Sequence, residues 1–149
     1  MIFLSRRLLA EMETAAVAAF PEECCGLLVG QDVGDGDDIR LTRVVSAHNR
    51  APRPRVAFEI DPQLWLDLRN QLADGADRIA GLYHSHPGGG TAPSPRDRAA
   101  AWDLAGTDAP LVWLVLARDA DGAGASRAWL RRPGAASFTA AALRIEADA

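Results

Sequence analysis

Lysine is absent from this chain of 149 residues, and all 16 basic residues are arginine. Against 20 acidic residues they leave a formal net charge of -4, which does not favour wrapping nucleic acid or an anionic membrane. The only cysteines are the adjacent Cys24 and Cys25, so a disulfide framework is excluded and a reducing cytoplasm is expected. No stretch approaches the roughly 18 uncharged apolar residues of a membrane span, and the charged N-terminus predicts a helix instead of a signal peptide.

The composition is that of a globular protein, with 48% hydrophobic and 24% charged residues, which excludes wholesale disorder. The length suits one domain over residues 1–149, and neither a repeat nor a linker divides it. Strand patterns alternate with about three helical ones, so we expect an α/β or α+β fold built on a mixed sheet.

Capping signals place the three helices. The first is expected to begin at Ser5 and end before Pro21, the second to run from Asp61-Pro62 to Gly75, and the third to start at Ser94. Short apolar runs predict strands around a turn at Gln31–Asp38, and the tail Phe138–Glu146 fits either a strand or a helix. The predicted strands are Cys24–Gly30, Ile39–Ser46, Val56–Ile60, Arg78–His84, Pro110–Ala117 and Ser126–Arg131.

The first chemical signal is the pair His84 and His86, which flank Ser85 at the end of a predicted strand. Residues two apart on a strand point to the same face, so the two imidazoles stand side by side, as a metal site requires. A chance pair or a satisfied polar pair would explain this motif equally well.

The second signal is Ser94-Pro95-Arg96-Asp97, which an ordinary capping box at a helix start also explains. The cap would keep Asp97 ionised at the helix N-terminus, and the preceding glycines would let its carboxylate turn back towards the histidines. Two imidazoles and one carboxylate leave one tetrahedral position open for water, which is the arrangement of a catalytic zinc site.

Such a site also needs a carboxylate near the metal to accept a proton. Glu22 and Glu23, at the junction of the first helix and first strand, are candidates. Spacing alone does not choose between them, and a solvated pair at a helix end explains both.

Taken together, Glu23, His84-x-His86, seven residues and Ser94-x-x-Asp97 resemble the signature of the JAMM (MPN-plus) zinc metalloproteases, in their small bacterial form. The resemblance extends to Gly26-Leu27-Leu28, to the Asn49 loop and to Phe58–Pro62. It implies a curved mixed sheet flanked by helices, in the JAMM/MPN (cytidine-deaminase-like) architecture. It also implies a metallopeptidase or isopeptidase with one zinc ion per chain.

By position, the resemblance assigns His84, His86 and Asp97 to the metal, Glu23 to general base catalysis and Ser94 to stabilising the oxyanion. Glu22 lies one residue off the motif. The implied substrate is the bond after the C-terminal Gly-Gly of a ubiquitin-like or sulfur-carrier protein, joined to cysteine or to a target amine. The tail would lie as an added strand beside the site.

Other interpretations predict different residues. A non-catalytic MPN-like scaffold would carry a broken metal triad, whereas this triad is complete in sequence. A deaminase-type zinc hydrolase would carry H-x-E and P-C-x-x-C, which are absent. His48 is expected on a surface loop, Cys25 in the core, and the arginines of Arg50–Arg55 in solvent or against an acidic partner.

Overall fold

Ten elements of secondary structure form the part of the chain that this computed structural model describes, residues 1–95 and 109–148. Beyond Pro95 the predicted third helix lies outside these residues. Neither described helix has the length and apolar character needed to span a membrane. The elements are β1 (Ile2–Ser5), α1 (Arg6–Ala19), β2 (Cys25–Val33), β3 (Asp38–Ala47), α2 (Pro62–Leu72), β4 (Arg78–Pro87), β5 (Leu111–Arg118), β6 (Ser126–Arg131), β7 (Thr139–Ala141) and β8 (Leu143–Glu146).

The eight described strands form a single mixed sheet in the order β7-β6-β5-β4-β2-β3-β1-β8. β4 and β5 are parallel, and β1 is parallel to both β3 and β8. The remaining neighbours are antiparallel. The predicted mixed sheet of the α+β class is therefore confirmed, with two helices in the described residues where about three were expected.

Each face of the sheet carries its own apolar cluster. On one face, α1 buries Leu8 and Met12 in a cluster that includes Tyr83 of β4. On the other face, α2 buries Leu68 against Leu82 of the same strand. Each fully buried side chain of this size contributes roughly 1.5–3 kcal/mol to folding. Because side chains alternate along β4, the histidines two and four residues after Leu82 lie on the α2 face.

Two of the three predicted helix starts are confirmed by their caps. The Ser5 hydroxyl accepts a hydrogen bond from the backbone N–H of Leu8 at 3.2 Å. The Asp61 carboxylate accepts one from the N–H of Gln63 at 3.0 Å, and Pro62 occupies the first turn. Each such bond satisfies a donor that the helix cannot pair internally and contributes about 1 kcal/mol.

The predicted strand at Val56–Ile60 is wrong, because its polar backbone groups are bonded outside the sheet. The N–H of Glu59 donates to the side chain of Asn49, and the carbonyl of Ala57 accepts from the same side chain. Phe58 and Ile60 pack against the α2 cluster instead of joining a ladder. An apolar run that packs through its side chains alone gives the same sequence pattern as a short strand.

The sheet also extends beyond the predicted boundaries. The predicted turn at Gln31–Asp38 is too long, since β2 continues to Val33 and Gln31 pairs with Arg40. The N-terminal strand β1 was not predicted, and it runs beside β8, which resolves the ambiguous tail as strand. Each of these segments is short, and only its partner strands supply the hydrogen bonds that hold it extended.

Candidate metal centre

The two histidines of the predicted motif lie together on β4, as strand periodicity requires. Their ring centroids are 4.6 Å apart and the ring planes meet at 64°. His84 is fully buried, whereas His86 is partly exposed at the end of the strand. The two imidazoles therefore run from the protein interior to a solvent-accessible position at its surface.

Glu23 is brought to this pair by the pairing of β2 with β4. Cys25 of β2 lies opposite His84, so the residues just ahead of β2 lie beside the end of β4. Glu23 is 5% exposed, and its Oε1 is 3.0 Å from Nδ1 of His84. Glu22 is half-buried. Of the two candidate carboxylates, the structure places Glu23 in contact with the histidine pair.

Glu23, His84 and His86 offer one potential ligand atom each, and these atoms lie within 4.8 Å of one another. Among the described residues this is the one group of three or more histidine, cysteine or acidic side chains with that property. Imidazole nitrogen and carboxylate oxygen are donors that zinc and similar divalent ions accept. The donor set therefore fits a metal ion.

Hydrogen bonds indicate which nitrogen of each ring carries the proton. Nδ1 of His84 faces the Glu23 carboxylate, and Nδ1 of His86 lies 2.8 Å from the backbone carbonyl of Gly90. Both oxygens can only accept, so in a neutral ring each Nδ1 donates and each Nε2 carries the lone pair. Metal-binding histidines are commonly oriented in this way, through an N–H donated to a carboxylate or a carbonyl.

Aromatic side chains hold the buried imidazole in place. The ring of Phe58 stacks on His84 with centroids 4.5 Å apart and planes 19° apart. Trp113 of β5 meets the same imidazole edge-on at 6.1 Å. These ring contacts restrict the rotation of His84 and so fix the directions of its two nitrogens.

The loop that follows His86 is attached to the sheet at two points. Gly90 accepts from His86, and the carbonyl of Thr91 accepts from the indole N–H of Trp129 at 2.8 Å. Ser94 is half-buried at the end of this loop. Asp97, the predicted third ligand, lies outside the described residues.

The cysteines are free and buried, as the sequence analysis predicts for Cys25. Cys25 lies opposite His84 in the register of β2 and β4, a proximity that the sequence does not reveal. Burial raises the pKa of the Cys25 thiol to about 12 and also raises the pKa of Cys24. Protonated thiols are poor nucleophiles and poor metal ligands. His48 is exposed on the loop after β3, as predicted.

This environment predicts that the thiols are inert in the folded protein. Alkylation of the folded protein by iodoacetamide at neutral pH is expected to be at least about a hundredfold slower than alkylation of the protein unfolded in urea. Burial keeps the thiols protonated and also blocks access of the reagent. Mass spectrometry of the folded and unfolded protein measures the two rates. Rapid labelling of folded protein, with loss of activity, would instead support a cysteine nucleophile.

Comparison with known proteins agrees with the motif. The sequence model for prokaryotic homologues of the JAB domain matches residues 5–132. The chain belongs to this family. The JAMM resemblance is thereby confirmed, and the matched range spans all positions of the motif, from 23 to 97.

Two relatives of this chain carry functional names. The chain is 34% identical over 96 residues to the desampylase of Haloferax volcanii, covering 64% of this chain and 66% of that protein, just under two thirds of its length. It is 30% identical over 119 residues to a probable TtuB-protein conjugate cleaving protease of Thermus thermophilus, covering 76% of each chain.

Solved structures show the same fold. A solution structure of a protein from Desulfitobacterium hafniense matches with a TM-score of 0.78 and 26% identity over 99% of this chain and 94% of that one. A crystal structure of a JAB1/MPN domain protein from Archaeoglobus fulgidus matches with a TM-score of 0.56 and 18% identity over 97% of each chain. The JAB fold of this chain is thus shared with proteins of low sequence identity.

Proposed function

We propose that this protein is a zinc-dependent isopeptidase that releases a ubiquitin-like or sulfur-carrier protein from its conjugates. The observation that carries the proposal is the group of Glu23, His84 and His86. Their potential ligand atoms lie within 4.8 Å of one another, near the C-terminal end of β4. A carboxylate beside two imidazoles can serve both metal binding and proton transfer. Family membership supports the same chemistry.

In this proposal one zinc ion is held by His84, His86 and Asp97, the last assigned from the sequence motif alone. Because both Nδ1 atoms are engaged in hydrogen bonds, the two Nε2 atoms would bind the ion. When bound, the ion would supply Lewis acidity, which polarises the scissile carbonyl and makes water a stronger acid.

Glu23 acts in this proposal as the general base. A carboxylate has two oxygens with about four lone-pair sites, so the bond from His84 leaves Glu23 able to accept a proton from the attacking water. The same carboxyl group then donates the proton to the departing amine nitrogen, which completes hydrolysis without a cysteine. Ser94 would donate its hydroxyl proton to the developing oxyanion.

The names of the relatives support the proposed substrate class. One relative is named desampylase, and the other is named a probable protease that cleaves TtuB-protein conjugates. A flexible Gly-Gly tail would lie as an extended strand beside the site, held by backbone hydrogen bonds that do not depend on side chains. We place the reaction in the cytoplasm, where the free cysteines would remain reduced.

The test uses a ubiquitin-like protein that ends in Gly-Gly and is extended by cysteine or by a lysine-linked peptide. We expect cleavage after the second glycine, loss of cleavage in a chelator, and recovery when zinc is restored. Mass spectrometry identifies the product, and elemental analysis counts the metal. Binding of the modifier without cleavage by the zinc-loaded protein would instead favour a scaffold that only binds partners.

A further inference from the structure

One side chain outside the predicted motif makes four hydrogen bonds next to the candidate site. The amide nitrogen of Asn49 donates to the backbone carbonyls of Glu23 at 3.0 Å and of Ala57 at 2.9 Å. Its amide oxygen accepts from the backbone N–H groups of Ala51 at 3.0 Å and of Glu59 at 3.1 Å. The amide thus uses two donors and two acceptor positions, its full capacity.

These bonds hold the backbone of Glu23 from both sides. The Glu23 carbonyl accepts from Asn49, and the Glu23 N–H donates to the carbonyl of Pro54 in the same loop at 2.7 Å. Glu23 precedes β2, so these contacts take the place of a sheet ladder. The next residue, Cys24, is tied to β4 by its N–H and its carbonyl, both bonded to Ser85.

The same loop contacts the metal-binding side of the site. Phe58 lies between Ala57 and Glu59, both of which are bonded to Asn49 through their backbones. The ring of Phe58 stacks on His84 at 4.5 Å. One side chain, Asn49, therefore braces a loop that touches the backbone of Glu23 and the imidazole of His84.

We propose that Asn49 is a positioning residue that fixes the Glu23 carboxylate relative to His84 by bracing the loop of residues 49–59 against the start of β2. This inference rests on the proposed function of Glu23. Proton transfer requires hydrogen-bond distances of about 2.6–3.2 Å, and a displacement of about 1 Å at a reacting group can lower a rate a hundredfold. Hydrogen bonds at both the N–H and the carbonyl of Glu23 fix its backbone, which limits how far its carboxylate can move.

Asn49→Asp separates the two hydrogen bonds that Asn49 donates from the two that it accepts. Aspartate keeps the shape and accepts from Ala51 and Glu59, but it cannot donate to the carbonyls of Glu23 and Ala57. Asn49→Ala removes all four bonds. The only other asparagine, Asn70, is exposed on α2, so Asn70→Asp and Asn70→Ala are matched controls.

Two measurements test the role. In the metal-free protein, amide hydrogen exchange at Glu23 is expected to be at least about fivefold faster in Asn49→Asp than in the wild type, the effect of losing about one hydrogen bond. Exchange in β5 is expected to be unchanged. In the zinc-loaded protein, kcat on the Gly-Gly conjugate is expected to fall about 10- to 100-fold, with KM and metal content unchanged.

The outcomes are distinguishable. Wild-type kcat and wild-type exchange at Glu23 in Asn49→Asp would overturn the inference, as would a loss confined to KM. Faster exchange throughout the sheet in both Asn49 variants would also overturn it, since that result indicates a general structural role. If the wild type fails to cleave any conjugate, the proposed function fails, while the exchange data still decide whether Asn49 holds Glu23.

Discussion

Glu23→Gln is expected to lower kcat by about a hundred- to ten-thousand-fold, the contribution typical of a general acid–base residue. Glutamine keeps the size of the side chain and can accept from His84, but it cannot take a proton from water. The zinc content is expected to remain at one ion per chain, because in the proposed function Glu23 is not a ligand.

The neighbouring Glu22 provides the matched control. Glu22→Gln makes the same chemical change one residue away, at a half-buried side chain. Its kcat is expected to stay near the wild-type value. Rates on a Gly-Gly conjugate, together with elemental analysis of both variants, decide the question. A Glu23→Gln protein that retains zinc and full activity would remove Glu23 from the mechanism, and one that loses zinc would make it a ligand.

Gly81→Ala is expected to destabilise the fold by about 3 kcal/mol or more, combining backbone strain with an overlap inside the sheet. Gly81 lies in β4 with φ of +152°, a conformation that other residues rarely adopt. A Cβ atom there would sit 1.8 Å from the carbonyl oxygen of Val112 in the neighbouring strand. That oxygen belongs to the backbone, so no side-chain rotation relieves the overlap.

Gly36→Ala is the control for this substitution. Gly36 lies in the turn between β2 and β3, and an added Cβ would meet no atom within 4 Å. Its effect is expected within about 0.5 kcal/mol of zero, as at other open surface sites. Urea unfolding followed by tryptophan fluorescence compares the two variants. Equal unfolding midpoints would show that β4 can move away from β5 without cost.

The position of Gly81 matters for the site because it lies three residues before His84 on the same strand. β4 shifts its register with β2 close to this point, between Leu28 and Val29. Gly81 pairs with Val112 of β5, and the same parallel pairing sets His84 beside Val115. A change at Gly81 is therefore expected to displace the histidines as well as to lower stability.

Several features were predictable from the sequence because they depend on neighbouring residues. The caps at Ser5 and Asp61, the helices that follow them and the shared face of His84 and His86 depend on spacings of two to four residues. Local hydrogen bonding and strand alternation determine such features, so a single segment contains the necessary information.

Other features depended on contacts between distant segments. The sequence predicts a strand at Phe58, yet the loop that contains it is held by the side chain of Asn49 and its ring packs on His84. The hydrogen bond from the indole of Trp129 to the carbonyl of Thr91 joins residues 38 positions apart. The Asn49 loop is part of the family resemblance, but no pattern in its sequence predicts the bond to Glu23.

The sequence by itself determined where most of the chain is helical or extended, because alternation, caps and turn residues act over a few positions. It also specified the motif that points to the family. Only the tertiary structure decided that β2 lies beside β4, which sets Glu23 3.0 Å from a histidine 61 residues away. It also decided that β1 runs beside β8. Strand pairing joins backbone groups that all residues share, so the choice of partner depends on how the whole chain buries its apolar faces.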